Sequence, residues 1–181
     1  MRGSGCRVWT RRKPTQNVSG GGEPTFSLVR LTAAPGSPKP AVQFSLEVPV
    51  GSVGEVYRAS EYLESVTIGE HGEFLKFGST GMFGSILLDP RSGRVVETGR
   101  DLASVNLVNT SLVRFISCIR GFIECFPFYS RDSGSDEWER AAGKVEELVC
   151  RLDAEAYRED SFWFEVRWSV ATGDFATEDL A

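Results

Sequence analysis

The sequence has 181 residues, with 25 Asp and Glu, 20 Lys and Arg, one His and a formal net charge of −5. This length is typical of one domain, and 41% hydrophobic residues are ordinary for a globular protein that buries a core. The single histidine excludes a His-rich metal site and any mechanism that needs two imidazoles. No apolar run approaches the ~18 residues of a membrane span, and no apolar stretch follows the basic N-terminus as it would in a secretory signal. We therefore expect a cytoplasmic protein that does not contact a membrane.

The net charge hides an asymmetry along the chain. Residues 1–40 carry seven basic side chains and one acidic one, whereas residues 41–181 carry 13 basic and 24 acidic ones. The first stretch is also rich in Pro and Gly, which is typical of a disordered arm. The sequence thus predicts a basic, largely disordered arm over 1–40, a folded domain over 41–175 and an acidic tail over 176–181.

The four cysteines, Cys6, Cys118, Cys125 and Cys150, have no CxxC spacing. Without an export signal a disulfide framework is not expected, and Cys118 and Cys125 lie seven residues apart on one predicted helical face. Buried core thiols are therefore the interpretation, and no metal or other cofactor is predicted.

The first half of the chain predicts a β-meander. Alternating apolar and polar residues, bounded by Gly and Pro, indicate strands at 25–31, 42–48, 62–69, 73–78, 82–89, 94–99 and 104–109. The turn between two of them is well specified, because Asp89 can bond the backbone ahead of it, Pro90 presets φ and Gly93 can take a left-handed conformation.

The second half predicts helices. Asn109, Thr110 and Ser111 are three candidate N-caps for a strongly apolar helix that ends before Pro127. A second helix is predicted from Asp136 to about residue 156, and a third, short and aromatic, begins after Asp160 or Ser161. Strands followed by helices indicate an α+β fold: a mainly antiparallel sheet covered by C-terminal helices.

Two motifs that could suggest a phosphate-binding or catalytic site have simpler structural interpretations. Gly78, Gly81 and Gly84 are spaced GxxGxxG inside a predicted hairpin, and the GK[ST] of a phosphate-binding loop is missing, so we expect them to relieve crowding. His71 lies in a predicted turn with no GxSxG nucleophile motif elsewhere, which favours a solvated side chain.

Carboxylate pairs such as Glu61 with Glu64 and Asp136 with Glu137 are common in so acidic a chain, and solvated helix faces explain them. No catalytic residue is therefore predicted, and we do not expect an enzyme. The basic arm holds Trp9 but little other aromatic content, and the acidic domain behind it would repel phosphate, which disfavours nucleic acid as a partner.

The cluster Phe162, Trp163, Phe164 and Trp168 exceeds what one helix face needs. Residues 162, 163 and 166 can share one core-facing arc, while Phe164 and Trp168 are four apart on another. Either both arcs are buried, or the second is an exposed anchor for a partner protein.

The order of these segments resembles the SUKH-4 immunity proteins of the SUKH superfamily. The resemblance rests on the "IG" that ends a strand at residues 68–69, the "LDPRSGRVV" hairpin at 88–96 and the "VNTSLVRF" helix opening at 108–115. The aromatic stretch at 159–175 resembles the C-terminal helix of that family. At the start the chain departs from the family, because an arginine-rich arm and "LTAAPGSPKP" at 31–40 stand where the family has an N-terminal helix.

The resemblance implies a SUKH-like scaffold and a cytosolic immunity protein that binds a cognate toxin domain, often a nuclease or nucleic-acid deaminase, without chemistry of its own. The matched positions have architectural roles: these are Asp89, Pro90, Gly93, Asn109, Ser111, Phe115 and Trp163. Asn109 and Ser111 are expected to cap the buried helix, and Phe115 to be its first large core residue.

The motifs do not specify the contact residues, so charge alone suggests them. The first choice is the acidic loop and helix start, Asp132, Asp136 and Glu137, and the second is the turn with Glu70 and Glu73. An acidic surface would steer onto the basic cleft of an enzyme that acts on nucleic acid. The alternative is a regulatory or scaffold module of the same fold outside toxin systems; oligomeric state is left open.

Overall fold

The computed structural model describes residues 26–33, 45–50, 52–53, 55–81, 84–130 and 132–175. Within them, a two-stranded and a six-stranded sheet precede three α-helices. The six strands lie side by side in sequence order, and every neighbouring pair is antiparallel. The predicted meander and the α+β class are therefore confirmed.

The strands are β1 Leu28–Leu31, β2 Leu46–Pro49, β3 Ser52–Val53, β4 Tyr57–Ile68, β5 Gly72–Thr80, β6 Gly84–Leu88, β7 Val95–Thr98 and β8 Asn106–Asn109. The helices are α1 Leu112–Glu124, α2 Ser135–Asp153 and α3 Phe162–Ala171, and short 3-10 turns occupy Gly69–His71 and Ala154–Ala156.

The strand predicted at 25–31 is β1; it lies within the range predicted as a largely disordered arm and pairs with β2 from Leu28 opposite Pro49 to Leu31 opposite Leu46. Leu31 and Val48 are buried in the main core, so this part of the predicted arm belongs to the fold. The predictions for residues 1–25, 34–44 and 176–181 lie outside the described residues.

Strand β4 begins five residues earlier than its pattern predicts. The register of β4 against β5 shifts between Ala59 and Glu64, and this irregularity interrupts the alternation of buried and exposed side chains. The buried start of the strand is Tyr57, whose ring lies over Gly78. A Cβ at Gly78 would be 2.4 Å from that ring, which confirms that this glycine relieves crowding.

The turn between β6 and β7 has the predicted chemistry. Asp89 accepts hydrogen bonds from the Arg91 backbone N–H at 2.9 Å and from the Ser92 hydroxyl at 2.7 Å, and Gly93 has a φ of +73°. Partial burial raises the pKa of Asp89, but these bonds and the Arg91 guanidinium outweigh it and hold the pKa below its ordinary value. The Arg91 side chain also donates to the carbonyl of His71, which joins this turn to the β4–β5 turn.

The two faces of the six-stranded sheet form separate clusters. Ile86 and Val95 pack towards the helices, where Phe115 of α1 meets Tyr57 and Phe77 at ring distances of 5.3 and 5.5 Å. Their neighbours along the strands point to the opposite face and build a second, smaller cluster. Its buried members are Ile68, Phe74, Leu87 and Val96.

Of the three candidate caps, Ser111 caps α1, because its hydroxyl accepts the backbone N–H of Arg114 at 3.3 Å. The prediction that Asn109 also caps this helix is wrong. Asn109 is completely buried, and its side chain bonds other elements: its carbonyl oxygen accepts the indole N–H of Trp163 at 3.1 Å. Trp163 is itself completely buried, so Asn109 ties α3 to the end of β8.

The same corner holds a carboxylate that is only 1% exposed. Asp153, the last residue of α2, accepts hydrogen bonds from the Asn109 amide, from the backbone N–H and hydroxyl of Thr110, and from Arg114. All four distances lie between 2.7 and 3.0 Å. Burial raises the pKa of Asp153, but these four hydrogen bonds outweigh it and place the pKa below its ordinary value. One carboxylate thereby joins β8, α1 and α2.

Replacing Asp153 by Asn tests this joint. We expect Asp153→Asn to lower the free energy of unfolding by about 2–4 kcal/mol at neutral pH, because an amide nitrogen would face donors and leave them unpaired. Since the folded-state pKa is depressed, the wild-type carboxylate stabilises the fold above its ordinary pKa, and this contribution is lost as pH falls through the folded-state pKa. Urea unfolding should therefore show the two proteins converging in acid.

The control is Asp101→Asn, which makes the same substitution at an exposed carboxylate. Equal stability of Asp153→Asn and the wild type at neutral pH would contradict the account.

Candidate partner-binding surface

The three acidic residues of the first choice lie together at the start of α2. Asp136 and Glu137 are exposed in the first turn of α2, and Asp132 is exposed in the turn just before it. The N-cap is Gly134, which supplies no side-chain bond, so the helix dipole is compensated here by the two carboxylates. Glu137 is 3.7 Å from Arg140 in an exposed pair, which contributes little to stability.

A shallow cleft runs beside this helix start. It has a volume of about 500 Å³, with Phe128 and Tyr129 on one side and Glu137, Arg140 and Glu147 of α2 on the other. Its aromatic side is fixed, because the Tyr129 hydroxyl donates to the carbonyl of Val170 at 2.8 Å. The cleft carries both signs of charge in equal number, because Lys144 also lines it, and of the first-choice residues only Glu137 does so.

The second-choice residues lie at the other end of the molecule. Glu70 and Glu73 are exposed at the β4–β5 turn, which Arg91 joins to the β6–β7 turn. From there Arg94 contacts Glu155 at 3.2 Å, just beyond the end of α2. Since α2 has 19 residues, roughly 28 Å separate its two ends, and the structure does not bring the two predicted patches together.

Helix α3 settles the question about the aromatic cluster. Phe162, Trp163 and Val166 are buried, as the first arc predicts. In the second arc Phe164 is half-buried against Tyr157, with ring centroids 6.2 Å apart, whereas Trp168 is 56% exposed. The second arc is therefore not a buried face.

Helices α2 and α3 run antiparallel and are joined by ion pairs. The guanidinium of Arg167 contacts Glu139 and lies 3.7 Å from Glu146. At the far end, a Cβ on Gly173 would be 3.2 Å from the ring of Trp138. The C-terminal half of α3 thus lies beside the N-terminal half of α2.

One carboxylate lies partly buried on the helix-facing side of the sheet. Burial raises the pKa of Glu97 of β7 above its ordinary value, and the negative charge of Glu165 on α3 raises it further, while a hydrogen bond from Asn106 opposes both effects. Two carboxylates are thus held near each other where α3 crosses the sheet. This arrangement adds to the acidic character of the helical side.

The cysteine prediction holds only in part. Cys118 is completely buried, and burial raises the pKa of its thiol to about 12. Cys125 is half-buried at the end of α1, and Cys150 is exposed on α2, so these two are not core thiols. Burial also raises the pKa of both. Cys6 lies outside the described residues.

Within the described part of the chain, no three His, Cys, Asp or Glu side chains are grouped as a metal site. No helix among the same residues is long and apolar enough to cross a membrane. His71 is exposed in the 3-10 turn before β5, which agrees with a solvated side chain.

A comparison with protein families matches the model of the SUKH-4 immunity protein over residues 36–168. This range covers most of the chain and holds all the strands from β2 onwards and nearly all of the three helices. The chain belongs to the SUKH-4 immunity protein family. A comparison with curated proteins finds no match, and neither does one with solved structures.

The segments that carry the resemblance to SUKH-4 proteins converge at one end of the sheet. Arg91 joins the "IG" ending to the Asp89–Gly93 turn, and Asn109 of the "VNTS" opening pairs with Val95, just after that turn. The residue that sequence reasoning missed is Asp153. The sequence does contain a signal for it. A carboxylate in the last turn of a helix interacts unfavourably with the helix dipole, so its presence there indicates local hydrogen-bond donors.

Glu97 offers a test of the electrostatics on the helical side. A raised folded-state pKa means that the folded protein binds a proton more readily than the unfolded chain, so ionisation of Glu97 costs stability at neutral pH. We expect Glu97→Gln to raise Tm at about pH 7.5 and to give no gain near pH 3, where both states are protonated. Thermal unfolding by circular dichroism at the two pH values checks this.

Glu61→Gln, on the exposed side of β4, is the matched control and should change Tm little at either pH. The account of Glu97 fails if its variant is no more stable than the control at neutral pH.

Proposed function

We propose that this SUKH-4 protein neutralises a cognate toxin domain by binding it stoichiometrically. The observation that carries the proposal is the family match over residues 36–168. The inhibition needs no chemistry by the immunity protein, only a preformed surface that covers or distorts the working part of the toxin.

Charge supports a toxin that acts on nucleic acid, such as a nuclease or a deaminase. Residues 41–181 carry 24 acidic and 13 basic side chains, so the folded body is strongly acidic. Enzymes that bind nucleic acid present basic surfaces to the phosphates. An acidic inhibitor is attracted to such a surface, which accelerates association more than it lengthens the life of the complex.

The start of α2 is the proposed contact surface. Asp132, Asp136 and Glu137 are exposed together there, beside a cleft with the aromatic side chains Phe128 and Tyr129. Such a cleft combines aromatic and charged side chains, as protein interfaces do. The turn with Glu70 and Glu73 has exposed carboxylates but lies towards the opposite end of α2, which is roughly 28 Å long, and a standard interface of about 800 Å² per partner would be centred on one end or the other.

Charge reversal at the two ends distinguishes them. We expect Asp136→Lys with Glu137→Lys to slow association with the toxin domain encoded beside the gene about tenfold at low salt, and to flatten the salt dependence of the rate. Glu70→Lys with Glu73→Lys adds the same charge at the other end and should leave the rate within about twofold. Surface plasmon resonance at several salt concentrations gives the rates.

Circular dichroism checks folding, because lysines at a helix start cost roughly 0.3–1 kcal/mol each against the dipole. A slowing by the Glu70 and Glu73 pair alone would move the interface to the other end. The proposed function would be contradicted if the wild type formed no complex with the toxin domain and did not rescue cells that express it.

A further inference from the structure

The outer face of α3 exposes a large side chain that the fold does not use. Trp168 is 56% exposed and is the most exposed aromatic side chain among the described residues. The buried residues of α3 are Phe162, Trp163, Val166 and Val170, all on the opposite side of the helix. Exposing an indole forgoes a large apolar burial, and tryptophan is the residue type most enriched at the energetic centres of interfaces.

The stripe of α2 that contacts Arg167, the residue before Trp168, has a notch at Gly143. Glu139, Gly143 and Glu146 follow one another on the stripe of α2 that faces α3, and both glutamates contact Arg167, the neighbour of Trp168. A Cβ at Gly143 would meet nothing within 4 Å. Glycine in a helix interior is unfavourable, and no packing contact here requires it, so the gap is open to a group from outside the chain.

The notch is flanked by carboxylates of the same stripe. Glu139 is 61% exposed and Glu146 is 46% exposed, whereas Arg167, which contacts both, is only 16% exposed, and Lys144 follows Gly143 in the sequence. On α3, Glu165 is exposed one turn before Trp168. The carboxylates thus face solvent and the one guanidinium among them lies beneath. A cationic side chain on the face of Trp168 would gain cation–π attraction as well as these charges.

This face also continues the surface proposed for toxin binding. Arg167 contacts Glu139, one turn after the Asp136 and Glu137 helix start, so Trp168 lies beside the N-terminal half of α2. Tyr62, the other strongly exposed aromatic residue, belongs to β4 in the sheet.

We propose that Trp168 and the Gly143 notch anchor a basic segment of the toxin, with an Arg or Lys side chain placed on the indole and between the carboxylates of Glu139 and Glu165. This inference rests on the proposed function and names the centre of its interface. It makes Trp168, rather than the charged rim, the residue that sets the dissociation rate.

Truncation of the indole tests the anchor. Trp168→Ala should weaken binding to the toxin domain encoded beside the gene by about thirty-fold or more, mainly through faster dissociation, because central aromatic residues dominate interface energies. Trp168→Phe should retain part of the affinity. Tyr62→Ala removes an exposed aromatic residue elsewhere and should stay within about twofold of the wild type.

Filling the notch separates binding from stability. Gly143→Gln should raise Tm, because glutamine is the better helix former, and should also weaken toxin binding at least about tenfold by occupying the gap. A purely structural role of Gly143 would not give opposite effects on the two measurements.

The outcomes are distinguishable. If the wild type binds the toxin and Trp168→Ala binds equally well, the anchor is overturned while toxin neutralisation stands; if the wild type binds no toxin, both fall together. Sedimentation of the protein alone tests whether a second copy of this chain binds at Trp168 instead. A dimer that Trp168→Ala dissociates would also overturn the basic-segment proposal.

Discussion

The buried carboxylate of Asp153 is the constraint on which the arrangement of the helices depends. A charge removed from water in this way is tolerated only when donors replace the lost hydration, and four donors from Asn109, Thr110 and Arg114 surround it. Two of these bonds come from Thr110 in the short link between β8 and α1, one from Asn109 at the end of β8 and one from Arg114 in α1, and the helix that carries Asp153 is α2. Asn109 in turn accepts a hydrogen bond from the indole of Trp163, which links α3 to the same corner. The polar corner therefore holds all three helices against the end of β8.

The consequence is a helical layer whose outer side is held in one position. Because α2 and α3 are anchored at the Asp153 end and joined again through Arg167, the exposed side chains of Asp136, Glu139 and Trp168 keep their spacing without support from a partner. A surface that is ordered before binding loses less entropy on association. This suits the proposed inhibition by binding, in which the sheet and the polar corner form the scaffold.

Much of this scaffold can be predicted from sequence because local chemistry determines it. Asp89, Pro90 and Gly93 specify their turn, Ser111 caps its helix and Phe115 enters the core, all from short-range preferences. Contacts between residues far apart in the sequence cannot be predicted in this way. Asn109 looks like a cap in sequence, and only the fold brings Trp163, 54 residues later, to its side chain.

The proposed interface is harder still to predict from sequence, for physical reasons. Periodicity places Phe164 and Trp168 on a second arc, but whether that arc is covered depends on the direction of α2, which no local pattern encodes. Likewise, charge indicates both acidic patches, and only the fold shows that they lie towards opposite ends of α2.

The central claim is that the outer side of α2 and α3, and not the sheet end with the family motifs, meets the toxin. Hydrogen–deuterium exchange of the wild-type protein, alone and with the toxin domain encoded beside the gene, tests this most directly. The account predicts added protection of backbone amides in the N-terminal half of α2 and in α3 around Trp168, with little change at residues 69–73 and 89–94. Protection confined to those two turns, with α2 and α3 unchanged, would contradict it.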